Sequence, residues 1–323
     1  MSEIVPNFSD EKIAKISKDL YGLEGEISPF VSYEDQNALI KSEQGKFVLK
    51  IANTKWPRQF IQTQIDVLKH LKDTAPDLKF SETVNTLNGD EMTIIDGFSV
   101  RLLTFLEGEM LTNMPRNEAV YKDVGRFLGQ FSKAMQTFKP LNPEGSDPLW
   151  KLDNVMACEP YVKYVQDDET RDRMKRQFTV YKEKILPKLP HLRKAVIHSD
   201  ANEQNFLISP DNPTKISGLI DFGELQYASQ INELAITLAY GLLGENDVGM
   251  ASRAVIEAYD QEFKILDEER EILFDLMVMR LITTVTMSSY NATLYPENEY
   301  ILVAQKPGIV LFKQLEDENY ILT

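Results

Sequence analysis

The spacing of apolar residues in this chain changes part-way along, and that change limits what it can fold into. As far as Leu106 the apolar residues mostly alternate along short β-type runs: 27–33, 38–42, 46–52, 92–95 and 99–106. A period of two marks strands that bury one face. Glu43, Gln44 and Gly45 form a hairpin turn signal between two of these runs. Two helical patterns interrupt them. One is capped by Ser9, carries Ile13, Ile16 and Leu20 on one face, and ends at Gly22. The other follows Pro57 and carries Ile61, Ile65, Leu68 and Leu71. Glu107, Gly108 and Glu109 then break the pattern, and helical spacing covers 117–138, 159–186, 232–243 and most of 248–290. The exception is a β-type island at 195–221. The expectation is an α+β fold of two lobes: a β-rich N-terminal lobe over 1–106 and a mainly helical C-terminal lobe over 107–323. A cleft is expected where they meet, near 104–109.

The bulk properties narrow the partners. Of 323 residues, 35 are basic and 50 acidic, a formal charge of −15. So acidic a chain is a poor candidate for nucleic acid or an anionic membrane, and it suits a cationic or zwitterionic small molecule. A single cysteine, Cys158, allows neither a disulfide framework nor a cysteine metal cage. The N-terminal MSEIVPNFSD lacks the apolar core of a signal peptide. The apolar stretch at 234–243 is about half the length a bilayer needs. These features read as a soluble, reduced, cytoplasmic protein with no nucleic-acid or membrane partner. They leave the oligomeric state open.

The island carries the chemistry. HSDANEQN (198–205) is followed by LIDFGE (219–224). Phosphoryl transfer needs one carboxylate to hold the acceptor hydroxyl and take its proton, and hard oxygen ligands for Mg²⁺. Asp200 can supply the first, Asn205 and Asp221 the second. An H-x-D-x-x-x-x-N pattern alone arises by accident in roughly a few per cent of chains of this length. A D-F-G placed after it behind an apolar strand makes accident much rarer. The competing reading has these Asn and Asp residues simply forming loop turns.

At this point the sequence resembles the aminoglycoside phosphotransferase and choline kinase superfamily, relatives of the protein kinases, and within it the hydroxylysine kinases. The resemblance runs in order through SYEDQN (32–37), FVLKIANT (47–54), VRLLTFLEG (100–108), PLWKLDN (148–154), VIHSDANEQNFLI, GLIDFGELQYA and LYPENEYI (294–301). It implies a protein-kinase-like fold, Mg²⁺ with GTP or ATP as phosphoryl donor, and a small hydroxylated amine or amino acid as acceptor. Residue by residue, it implies Asp200 as catalytic base, Asn205 and Asp221 as metal ligands, and His198 as a prop for the catalytic loop. Lys50 matches the strand lysine that neutralises the nucleotide phosphates, although a lysine in a β-run more often faces solvent.

Two departures stand out. The helix position usually filled by a glutamate is Gln64. At about 100° per residue it falls within the arc of Ile61, Ile65, Leu68 and Leu71, so it faces inward. It either accepts a hydrogen bond from Lys50 without charge assistance or is an amide at the edge of a packed stripe. The nucleotide loop SYEDQN has no glycine, and Glu34 and Asp35 would repel phosphate. Ser32 and Asn37 are its better contact candidates. The 103–106 segment should offer backbone groups, at Thr104 and Leu106, to the purine. Glu224 is a candidate for the substrate ammonium, whereas Glu233 reads as solvated or helix-capping. Trp150 and Asp153 are candidates for the acceptor pocket, with core packing equally open for Trp150.

Rivals remain at this stage: a kinase of an aminoglycoside, choline, homoserine or thiosugar, and a nucleotide-binding pseudokinase. A protein kinase fits less well, because no APE-like segment follows D-F-G and helix begins soon after Gly223.

Overall fold

Ser9 Oγ accepts the Lys12 N–H (3.3 Å) and so opens α1 (Asp10–Tyr21). Gly22, at φ 67°, closes the helix in the left-handed conformation that an L side chain resists. In the computed structural model, which describes residues 5–30, 32, 35–140 and 147–317, α1 starts the first of two compact units. That unit comprises Met1–Glu107 and Lys139–Asn142, and the second comprises Gly108–Phe138 and Pro143–Thr323.

The first unit is built on six antiparallel strands: β1 (Gly25–Phe30), β2 (Gln36–Ser42), β3 (Gly45–Ile51), then after helix α2 (Arg58–Thr74) β4 (Thr83–Val84), β5 (Thr93–Ile95) and β6 (Phe98–Thr104). The order is β1-β2-β3-β6-β4, with β5 also on β6. Ser42 pairs with Gly45 across the expected 43–45 turn. The β5–β6 hairpin turns on Asp96 and Gly97 at φ 51° and 89°, an Asp-Gly signal that the sequence reading passed over. Ala38, Ile40, Leu49, Ile51, Val100 and Leu102 pack with Ile13, Ile16 and Tyr21 of α1 in one core. Full burial of each large aliphatic side chain there stabilises the fold by roughly 1.5–3 kcal/mol. Because side chains alternate along a strand, Lys50 and Arg101 point to the opposite face, toward α2.

The second unit begins with β7 (Glu109–Met110) and α3 (Glu118–Met135), whose cap Asn117 accepts the Val120 N–H at 3.2 Å. A 3₁₀ stretch (Leu152–Tyr164) leads to α4 (Asp168–Val180). The continuous helix expected over 159–186 is therefore broken. Val165 is extended, and Asp167 starts α4 afresh by accepting the Thr170 N–H at 3.0 Å. Then come β8 (Lys194–Ile197), β9 (Phe206–Ser209), β10 (Asn212–Leu219), β11 (Gln226–Ser229), α5 (Ile231–Gly241), α6 (Val248–Glu262), α7 (Asp267–Leu294) and α8 (Gln305–Asp317). The island forms two small antiparallel sheets, β10-β9-β7 and β11-β8. Strands β7 and β11 were not expected, since two and four residues are too few to show a period. Helix α3 supports the island, with Phe127 edge-on to Phe206 (6.0 Å) and Phe131 against Phe222 (6.4 Å). Helix α7 is long and apolar enough to cross a membrane, but 89% of its most apolar window is buried in the protein, as in a core helix.

Candidate active site

Strand β8 delivers the chain to His198, and β9 takes it away after Asn205, so two strands hold both ends of the 198–205 loop. His198 has no exposed surface. Its Nε2–H donates to the Ile220 carbonyl (3.0 Å), and its Nδ1 accepts the Asp200 N–H (3.3 Å). Phe222 packs edge-on against the ring at 4.9 Å. Burial drops the imidazole to about 4, against the Ile220 hydrogen bond and the Asp221 charge, so the ring is neutral near pH 7.

Asp200 is held at both oxygens. Oδ1 accepts from Asn202 Nδ2 (2.9 Å) and Oδ2 from Asn205 Nδ2 (2.9 Å). Burial pushes its carboxyl up to about 6, aided by the charge of Asp221 and opposed by Arg280 and the two amides. Asn205 Nδ2 also donates to the Asp200 carbonyl (2.8 Å), which turns the amide so that no described donor meets Oδ1. Asp221 follows β10 at φ 62°, exposed, with its charge felt at both Asp200 and His198. A side chain on Gly223 would bring Cβ within 3.2 Å of Asp221 Oδ1, so this glycine keeps room around the carboxylate.

This donor set suits Mg²⁺. Asn205 Oδ1 and the Asp221 carboxylate are hard oxygens, and among the described residues no group of three or more His, Cys, Asp or Glu forms a self-sufficient cage. Mg²⁺ ordinarily takes one or two protein oxygens and completes its shell with phosphate and water.

The loop is braced from behind. Ser199, at φ 69°, is a strained position for a residue with a side chain. Its N–H and that of His198 both donate to the Glu233 carboxylate of α5, and its carbonyl faces Arg280 Nη2 at 3.5 Å. Glu233 was expected to be solvated or to cap its helix, but it has no exposed surface. A carboxylate taken out of water needs donors, and these two N–H groups supply them.

In the first unit a row of polar side chains crosses three strands. Asn37 of β2 lies opposite Lys50 of β3, which lies opposite Arg101 of β6, and directly opposed residues share a face. Lys50 is 9% exposed and Arg101 4%. Gln64 faces inward from α2 and is buried, but the donor to its Oε1 is Arg101 Nη2, which the sequence reading did not consider. Asn37 Oδ1 is buried without a partner among the described residues.

Ser32 is exposed. Asp35 turns its Oδ1 to the Asn53 N–H (2.9 Å), while Glu34 lies outside the described residues. In the 103–106 segment the Thr104 N–H bonds the Glu82 carbonyl (2.8 Å) and the Phe105 N–H bonds that of Lys46 (3.0 Å). Leu106 is thus the segment's residue with no backbone acceptor for its N–H among the described residues.

Of the acceptor candidates, Glu224 is half-buried just after D-F-G. Asp153 faces protein donors: Lys194 Nζ, the Ser229 N–H (2.9 Å) and Asn232 Nδ2 (2.8 Å). Trp150 stacks over the guanidinium of Arg280, 5.3 Å from ring centroid to Cζ. Sequence reasoning missed both arginines. The available signal was the same in each case, a lone cation inside an apolar run, VRLL for Arg101 and VMRLI for Arg280.

The chain is similar to several known proteins. Hydroxylysine kinase of Mus musculus is 27% identical over 97% of this chain and 90% of its own length, and that of Danio rerio is 28% identical over 95% and 91%. Among solved structures, an amicoumacin kinase in complex with AMP-PNP, Ca²⁺ and Ami superposes with a TM-score of 0.71 at 15% identity, covering 98% of this chain and 95% of that one. The model of the APH phosphotransferase enzyme family matches residues 26–272. That match spans most of the sequence, and the chain belongs to that phosphotransferase family.

Proposed function

We propose that the protein transfers the γ-phosphoryl group of Mg-ATP or Mg-GTP to the hydroxyl of a small hydroxylated amino acid or amine, with 5-hydroxylysine as first candidate. The observation that carries this reading is the state of Asp200. Both oxygens are fixed by side-chain amides that cannot take a proton, which holds the carboxyl group in one orientation. Such a group can orient a hydroxyl and accept its proton as the new P–O bond forms and the bond to the β-phosphate oxygen breaks. Mg²⁺, when bound, would neutralise charge on the β- and γ-phosphates, with Asn205 and Asp221 as its protein ligands. Lys50 and Arg101 place two cations on one face of the first unit's sheet, where phosphate charge favours them. The near full-length likeness to hydroxylysine kinases supports the choice of acceptor.

The test is a panel of hydroxyl acceptors, including hydroxylysine, homoserine, choline and an aminoglycoside, each with ATP and GTP, read by nucleotide consumption and by mass of the product. Hydroxylysine is expected to give the highest kcat/KM. Nucleotide binding with no phosphorylated product across the panel would sink the reading.

A further inference from the structure

Arg280 stands midway along α7 and is 4% exposed. Its guanidinium carbon lies 5.3 Å from the ring centroid of Trp150 and 5.2 Å from that of Tyr240. Nη1 donates to the Trp150 carbonyl at 3.0 Å, and Nη2 reaches the Ser199 carbonyl only at 3.5 Å. Its Nε–H is buried with no acceptor among the described residues. Among the described residues no carboxylate comes within ion-pairing distance of it, whereas other buried or half-buried arginines, such as Arg126 and Arg193, are paired.

A buried guanidinium without an anion is rare, because removing a charge from water costs several kcal/mol unless a partner repays it. The two acids nearest in influence are already held elsewhere. Asp200 is bound by Asn202 and Asn205, and Glu233 by the loop N–H groups. The two rings hold the guanidinium in one orientation, and a planar fork fixed this way is suited to a carboxylate. Trp150 and Tyr240 are both only half-buried, so the cover over Arg280 is thin. The Ser199 carbonyl it faces belongs to the residue just before Asp200, which places an anion at Arg280 beside the base.

We propose that Arg280, through an Nε–H that no described residue satisfies, anchors a carboxylate of the acceptor, so that the site selects a hydroxylated amino acid over the amine lacking the carboxyl group. The proposal rests on the kinase reading above. The acceptor would be held at two points, its carboxylate on Arg280 and its hydroxyl on Asp200, and that separation would set which hydroxyl reacts.

The experiment compares hydroxylysine with the hydroxydiamine left when its carboxyl group is removed, in the parent and in Arg280→Gln and Arg280→Lys. The parent is expected to favour the amino acid at least tenfold in kcat/KM, as a charge-assisted contact provides. In Arg280→Gln that preference should collapse through a higher KM for the amino acid, with the nucleotide KM unchanged; Arg280→Lys should recover part of it. If the parent phosphorylates both acceptors equally well, the anchor is wrong while the kinase reading stands. If Arg280→Gln lowers both acceptors by the same factor, Arg280 is a brace and the anchor is again wrong. If the variants do not fold, the parent's ratio decides alone. A parent that phosphorylates neither compound nor anything else in the acceptor panel overturns the kinase reading itself.

Discussion

The 198–205 loop and the polar row of the first unit are held in place by different routes. The side chains of His198, Asp200 and Asn205 are fixed within the 198–220 segment itself, and Glu233 of α5 adds a brace on the loop N–H groups. The row Asn37–Lys50–Arg101 joins residues from three strands, and its contact to Gln64 spans 37 positions. The loop depends on local bonding and the row on strand register. A one-residue slip in β3 would turn Lys50 to the apolar face and leave the loop untouched.

The sharpest way to break this contrast is at the loop. Asp200→Asn keeps size and hydrogen bonding but cannot take a proton, so kcat should fall by at least about 100-fold. Nucleotide affinity, measured by calorimetry, should hold within about threefold. A parental kcat would remove Asp200 from the chemistry. In the row, Lys50→Ala should weaken nucleotide affinity or kcat/KM by at least about tenfold, near 1.4 kcal/mol, without changing the acceptor KM. Unchanged kinetics would return Lys50 to a structural role.

Glu233 tests the brace through pH. Burial pushes its carboxyl up to about 7, against the two N–H donors. A carboxyl that titrates higher folded than unfolded gives its full stabilisation below the unfolded value. It loses that stabilisation as pH rises through about 7. The parent's urea midpoint should therefore fall between pH 5 and 8, and by less in Glu233→Gln, with a difference on the order of 1 kcal/mol. Equal falls in both would mean that the loop N–H groups hold Glu233 ionised throughout. The smallest effect is expected at Ser199→Gly. It relieves a left-handed backbone and removes a hydroxyl buried without a partner, so the variant should gain about 0.5–1 kcal/mol in chemical denaturation. A loss would show that the packing of Cβ outweighs the strain.

Much of this was legible in advance for one reason: the α+β plan and the loop motifs depend on short-range chemistry. Period-two runs announced five of the six described strands of the first unit, all but the two-residue β4, and the structure brings His198, Asp200 and Asn205 together in one loop as their spacing suggested. What stayed hidden depends on register and tertiary approach. Gln64 was correctly turned inward by helical geometry, but Arg101 reaches it only because β6 pairs with β3. Glu233 looked solvated because an acidic residue in a first helical turn usually is. Its burial follows from α5 packing behind the catalytic loop. The break before Asp167 escaped because one capping carboxylate restarts a helix without altering the apolar period around it.

The neutral, enclosed ring of His198 affects how the acidity profile of this protein should be interpreted. Imidazole is the customary suspect when activity fades between pH 5 and 7. Here the ring gains its proton only near pH 4 and has no exposed surface. An imidazole-directed acylating reagent should find His198 inert in the folded protein. An acid limb above about pH 5 would then have to be assigned to another group, and across the working range this histidine acts as a fixed joint whose hydrogen bonds do not respond to the surrounding medium.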